Sequence, residues 1–299
     1  MNVFLFGAGA SFGSGNVYPT PPPLGNQLFN ALERLFPTSW GSLPTDVKDV
    51  FRTNFEHGMQ EIIDRYNAAI APLMQHMGIY FSRFRLFNDQ SNHYKSLIEH
   101  CSNEGLLDRT IFSSLNYECL LEIACSMESV QINYFGDPEK DKAAIYKLHG
   151  SCNFKSAGLE LSRGVQFSGV TFEGGLQILQ PNQVAPVFRG NTGLYPAMSL
   201  YAQNKPLNVS PAGINEGLNK WKTHIENASR IIVIGVMPNR EDEHLWLPIA
   251  NSDAEFIFVG GEEQYDNWVN EFRNSKTNKY LGFTWEQANE ELLEELSGV

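Results

Sequence analysis

Three short stretches of this chain carry residue types that could act on a phosphorylated sugar. The first is Gly7-Ala8-Gly9-Ala10-Ser11, which follows the apolar run Val3 to Phe6 and continues through Phe12 to Gly13-Ser14-Gly15. A glycine loop between a strand and a helix presents backbone N–H groups to a diphosphate, and a helix N-terminus adds a favourable dipole. The second is Ser113-Ser114-Leu115-Asn116-Tyr117-Glu118. Its Asn116 amide can bind sugar hydroxyls or position a water. The third is Lys147-Leu148-His149-Gly150-Ser151, in which His149 can take a proton near neutral pH and Gly150 allows close backbone approach. Taken singly, each is commonplace: an asparagine after a strand is usually a turn residue, and a lone histidine is usually structural. Their joint occurrence, in this order, is what singles them out.

The elements that must position these residues are legible as runs. Asn2 to Phe6, Thr110 to Ser113, Ser129 to Tyr134, Ala144 to Leu148, Arg230 to Val236 and Glu255 to Gly260 read as strands. Helical spacing begins at Leu24 (with Leu28, Leu32 and Leu35) and dominates Thr45 to Phe87, where Ile62, Ile63, Tyr66, Ile70 and Leu73 share one face. Tyr94 to His100, Tyr117 to Ser126, Ala212 to Ala228, Glu241 to Ala250, Gln264 to Phe272 and Trp285 to Leu296 also read as helices, and Ser151 to about Gln183 as irregular strands and loops. Strands alternating with helices predict an α/β fold, a Rossmann-like, mainly parallel sheet with helices on both faces. The expected organisation is one domain over residues 1–299, with a small helical insertion at about 45–105.

Composition narrows the function classes. The formal net charge is -12 and the pI is near 5.1, which opposes binding to nucleic acid or an anionic membrane. No apolar run approaches the ~20 residues that cross a bilayer, and the N-terminus lacks a signal peptide's basic region and cleavage site, so a cytoplasmic location is expected. The four cysteines, Cys101, Cys119, Cys125 and Cys152, contain no C-x-x-C pair, so no zinc module and no metal site are expected. Trp221, Trp246, Trp268 and Trp285 crowd the C-terminal third and are expected to be core.

A redox dinucleotide site is disfavoured. The G-x-G-x-x-G fingerprint fits at Gly7 and Gly9, but Phe12 occupies the third position. The proline run Pro19 to Pro23 stands where a helix should directly follow, and no strand ending in an acid comes soon after.

The same motifs resemble those of the sirtuin-like (SIR2) family, particularly bacterial SIR2-like NAD-cleaving effectors of anti-phage defence. Gly7 to Ser11 followed by Pro23-Leu24-Gly25, then Ser114 to Glu118, then Leu148-His149-Gly150, match that family's motifs in order. Gly235, closing a strand, and Asp242, opening a helix, match a further element. The resemblance implies a SIR2-like fold that binds NAD as substrate and releases nicotinamide, with no metal. It implies Asn116 and His149 as catalytic residues. It places Gly7, Ala8, Gly9, Ala10, Ser11, Glu118, Gly235 and Asp242 around the NAD. It also implies a homo-oligomer or a separately encoded defence partner, an ATPase or a nucleic-acid-guided protein. Two departures stand out: Glu118 replaces the usual Asp and reaches one methylene farther, and Val236-Met237 replaces the usual Tyr-Ser. Protein deacylation, and a non-catalytic NAD- or ADP-ribose-binding subunit, are the alternatives.

Overall fold

The computed structural model describes residues 1–158, 161–162, 170–190, 193–200 and 206–298. Part of the glycine-rich stretch from Ser151 to Gln183 therefore lies outside the described residues.

The chain opens with strand β1 (Asn2–Phe6), followed by α1 (Ala8–Phe12), α2 (Gly25–Leu35), α3 (Thr45–Thr53), α4 (Phe55–Arg65), α5 (Ile70–Phe81) and α6 (His93–Asn103). It continues through β2 (Thr110–Ser114), α7 (Leu120–Met127), β3 (Gln131–Tyr134) and β4 (Lys142–Lys147). A hairpin-like pair, β5 (Phe154–Ala157) and β6 (Gly175–Ile178), precedes α8 (Pro181–Arg189) and α9 (Pro211–Glu226). The last third alternates: β7 (Arg230–Ile234), α10 (Glu243–Asn251), β8 (Glu255–Val259), α11 (Glu262–Phe272), β9 (Asn278–Gly282) and α12 (Trp285–Ser297).

Seven strands form one sheet in the order β3-β4-β2-β1-β7-β8-β9, and every pairing in it is parallel. A parallel sheet must be covered on both faces, because its strands are joined by crossovers that lie over them. The alternation along β1 shows this directly. Phe4 and Phe6 join one apolar cluster with Leu97 of α6, Leu120 of α7 and Trp285 of α12. Val3 and Leu5 join the other, with Trp221 of α9, Leu245 of α10 and Trp268 of α11. The fold is thus the Rossmann-like architecture expected, and the four C-terminal tryptophans are buried in these two layers.

Several local expectations are corrected. The helical face from Ile62 to Leu73 is not one helix, because α4 ends at Arg65 and α5 begins at Ile70. A one-turn helix, α1, does follow β1 directly, inside the glycine loop and ahead of the proline run. The helix expected from Tyr117 begins only at Leu120, and strand β9 had no counterpart in the sequence pattern. Asn-Lys-Tyr-Leu-Gly shows neither alternation nor β-branched residues; pairing with β8 makes it a strand.

Candidate active site at the C-terminal edge of the sheet

The strand ends are level. Phe6 pairs with Ser114 on one side and with Ile234 on the other, and Ser114 pairs with Lys147. Gly7, Asn116, His149 and Gly235 therefore emerge from four adjacent strands, β4, β2, β1 and β7, at the same edge. Chain order reverses across β1 and β7, since β1 is followed by β2 on one flank while β7 opens the other. Open α/β sheets bind ligands in the crevice outside the strand C-termini at such a point.

The glycines at this junction serve backbone contact first. Gly7 N–H donates to the Ile234 carbonyl and Gly9 N–H to the Gly235 carbonyl, both at 3.0 Å. A Cβ on Gly7 would lie 2.5 Å from the Gly235 oxygen, and one on Gly235 (φ +64°) 2.0 Å from the Ala10 nitrogen. The expectation that the whole loop faces a diphosphate is therefore narrowed. The N–H groups of Gly7, Gly9 and Ala10 are already donating within the protein, while Ala8 is exposed.

Ser11 is the hub of the next layer. Its Oγ, in a residue only 1% exposed, donates to Glu118 Oε1 at 2.6 Å, and it lies 2.9 Å from the Tyr94 hydroxyl. Asn116 Nδ2 donates to that same Oγ and to the Gly7 carbonyl, each at 2.8 Å. Both amide protons are thereby used, and among the described residues nothing donates to Oδ1 of the half-buried Asn116. The site thus offers a hydrogen-bond acceptor. Glu118 turns its carboxylate into the protein. The residue is 4% exposed, with Oε1 taken by Ser11 and Oε2 by the Leu120 N–H at 2.6 Å.

His149 sits in the turn after β4, with its ring centroid 5.9 Å from that of His244, in the first turn of α10. Its carbonyl accepts from the Ser199 N–H at 2.9 Å. Gly150 has φ +76°, and a Cβ there would lie 2.0 Å from the Ala197 oxygen, so the close approach expected of it is made to its own chain. Asp242 caps the start of α10 as the sequence pattern suggested, although its side chain makes no cap hydrogen bond.

Sequence reasoning missed three neighbours. Tyr94 arrives from α6, and burial together with the nearby Glu118 charge holds its hydroxyl protonated far above the usual tyrosine range. His244 gave no signal of its own. Lys147 did: a lysine closing the buried run Ala143 to Tyr146 needs a partner. Its Nζ donates to the Glu118 carbonyl at 2.6 Å and lies 3.3 Å from Glu122 Oε1. Burial opposes the lysine charge, but Glu122 and Glu118 outweigh it and hold Lys147 above the usual lysine range. Burial pushes Glu122 above the usual carboxylate range, partly offset by Lys147. Cys119 and Cys152 border this cluster with their sulfurs 3.7 Å apart. The hydrogen bond to Cys152 and burial push the Cys119 thiol well up.

Lys147→Met should therefore cost about 3–5 kcal/mol, the usual penalty for stranding one member of a buried pair. The sign of its pH dependence follows from Glu122. A carboxyl with a raised folded-state pKa binds its proton more readily in the folded chain, so the variant regains stability as pH falls toward 4.5. Urea unfolding at pH 8 and pH 5 checks this, and an equal loss at both would contradict it.

Among the described residues no group of three or more histidine, cysteine or acidic side chains is arranged to hold a metal, and no helix is long and apolar enough to cross a membrane. Comparison with known proteins finds no matching family model and no matching curated protein. Among solved structures, the chain is similar to the crystal structure of Sir2 in complex with the inhibitor EX-527, 2′-O-acetyl-ADP-ribose and deacetylated p53 peptide. There the identity is 15% over 100% of this chain and 93% of that one, with a TM-score of 0.46. It is also similar to the crystal structure of a Sir2 homolog–NAD complex, at 16% identity over 99% of this chain and 88% of that one, with a TM-score of 0.43.

Proposed function

We propose that this chain hydrolyses NAD at the nicotinamide–ribose bond, releasing nicotinamide and ADP-ribose. The observation that supports the reading is the level placement of Asn116 and His149 on the adjacent ends of β2 and β4, beside the Gly7–Gly235 junction. Nicotinamide departs with the electron pair of the C1′–N bond as a neutral pyridine, and an oxocarbenium-like ribose forms. A water oxygen then bonds to C1′, and the water's proton must go to a base.

Asn116 Oδ1, as an acceptor, orients that water or a ribose hydroxyl. His149 takes the proton. Ser11 holds the Asn116 amide, and the strand-end crevice positions the ribose and limits competing water. Gly235 and Asp242 flank the adenosine side in this reading. Residues 1–299 act as one NAD-binding unit, with 45–105 as its helical insertion. A homo-oligomer or a separately encoded defence partner, an ATPase or a nucleic-acid-guided protein, controls when a cytoplasmic NAD-depleting activity is released.

The test is chromatography of NAD incubated with the purified chain, alone and together with its gene neighbours, with and without an acetylated peptide. Equal amounts of nicotinamide and ADP-ribose, independent of peptide, are expected. Nicotinamide release only with peptide would make the chain a deacylase. NAD binding without release in every arm would make it a binding subunit.

A further inference from the structure

The hydrogen bonds around Ser11 have a fixed direction. A hydroxyl has one proton and two lone pairs. The Glu118 carboxylate accepts only, so the Ser11 proton goes to Oε1 at 2.6 Å. Both Ser11 lone pairs then face donors, the Asn116 Nδ2–H at 2.8 Å and the Tyr94 O–H at 2.9 Å. The result is a one-way chain from a buried anion to the amide: Glu118 carboxylate, Ser11 O–H, Asn116 N–H. An ionised acceptor makes the hydroxyl it draws on a stronger acceptor in turn, and such chains polarise cooperatively in a low-dielectric interior. Pulling on the Asn116 N–H shifts amide electron density toward Oδ1, the one atom of that group with no donor among the described residues.

We infer that Glu118 is a positioning residue that never touches the substrate, and that it acts through Ser11 to lock Asn116 with Oδ1 outward and enrich that oxygen in negative charge. The inference rests on the NAD-cleaving reading and deepens it. An electron-rich acceptor at this edge favours a ribose on which positive charge develops, so Glu118 serves the transition state more than the ground state. Leu120 N–H, on the other carboxylate oxygen at 2.6 Å, keeps Glu118 turned inward. The Tyr94 hydroxyl, protonated throughout, keeps the second lone pair of Ser11 occupied.

Glu118→Gln retains shape and removes the charge. It should lower kcat by about 10-fold with KM nearly unchanged. In a Ser11→Ala background, which severs the relay, the same substitution should add nothing. An equal loss in both backgrounds, or a rise in KM alone, would overturn the inference, because Glu118 would then act independently of Ser11. A second readout needs no turnover. The Asn116 side-chain amide proton bonded to Ser11, assigned by its loss in Asn116→Ala, should move upfield in the NMR spectrum of Glu118→Gln. An unchanged shift would overturn the relay even if the wild-type chain proved inactive, whereas absent turnover with the shift intact would count only against NAD cleavage. Should Glu118→Gln fail to fold, Ser11→Ala decides alone: it must lower kcat and leave the amide proton that Ser11 had bound upfield.

Discussion

Replacing Asn116 or His149 with alanine should lower nicotinamide release by about 10²-fold or more while the chain remains folded. Asn116 is half-buried and His149 lies in the turn after β4, beyond the strands themselves, so the larger loss is expected in turnover and not in folding. Asn116→Ala removes the Oδ1 acceptor together with the two 2.8 Å bonds that aim it. His149→Ala removes the base without disturbing the Gly150 crossing, which depends on backbone alone. Groups that act on one water act as a unit, so the double variant should be little worse than the poorer single one. Single-turnover assays with circular dichroism as the folding control measure this. Wild-type rates in both single variants would rule out the proposed mechanism.

Gly235→Ala should be among the most damaging substitutions in the protein, at about 4 kcal/mol or more. Two costs combine. The left-handed backbone at φ +64° disfavours any side chain by about 1–2 kcal/mol. The added Cβ would also lie 2.0 Å from the Ala10 nitrogen and 2.4 Å from the Gly9 carbonyl carbon, which are main-chain atoms that cannot rotate aside. Gly105→Ala separates the two, because Gly105 has φ +63° with nothing within 4 Å of the new Cβ. It should lose only the backbone share. Urea midpoints of the two variants measure the difference, and equal losses would show that the β1–β7 junction is not closely fitted.

Helix α6 shows why part of the site was hidden. Tyr94 sits on a helix whose apolar spacing reads as core, and its ring does pack at 4.8 Å from Trp285. Its hydroxyl meets Ser11, 83 residues away in the chain, only because α6 crosses the end of β1. His244 meets His149 in the same way, across 95 positions. Nothing in the local pattern around either residue announces the partner.

What the sequence determined by itself is local. Buried runs such as Val3 to Phe6 and Ile231 to Ile234 specify strands, because four consecutive apolar residues can be satisfied only by cover on both faces. Such runs place Gly7, Asn116 and His149 just past strand C-termini, whereas Gly235 reads as part of the run Arg230 to Val236 and falls past its end only in the structure. What only the tertiary structure decided is which strand ends become neighbours and which atoms remain available there. β4 lies beside β2 while β3, earlier in the chain, is sent to the edge, and that order puts His149 and Asn116 after adjacent strands. Strand order depends on how two faces of a sheet are buried at once, and periodicity along one segment carries no record of it. Glu118 turns inward and the Gly7 and Gly9 N–H groups bond to β7 and the residue after it for a related reason: buried polar groups must find partners, and those partners come from distant chain.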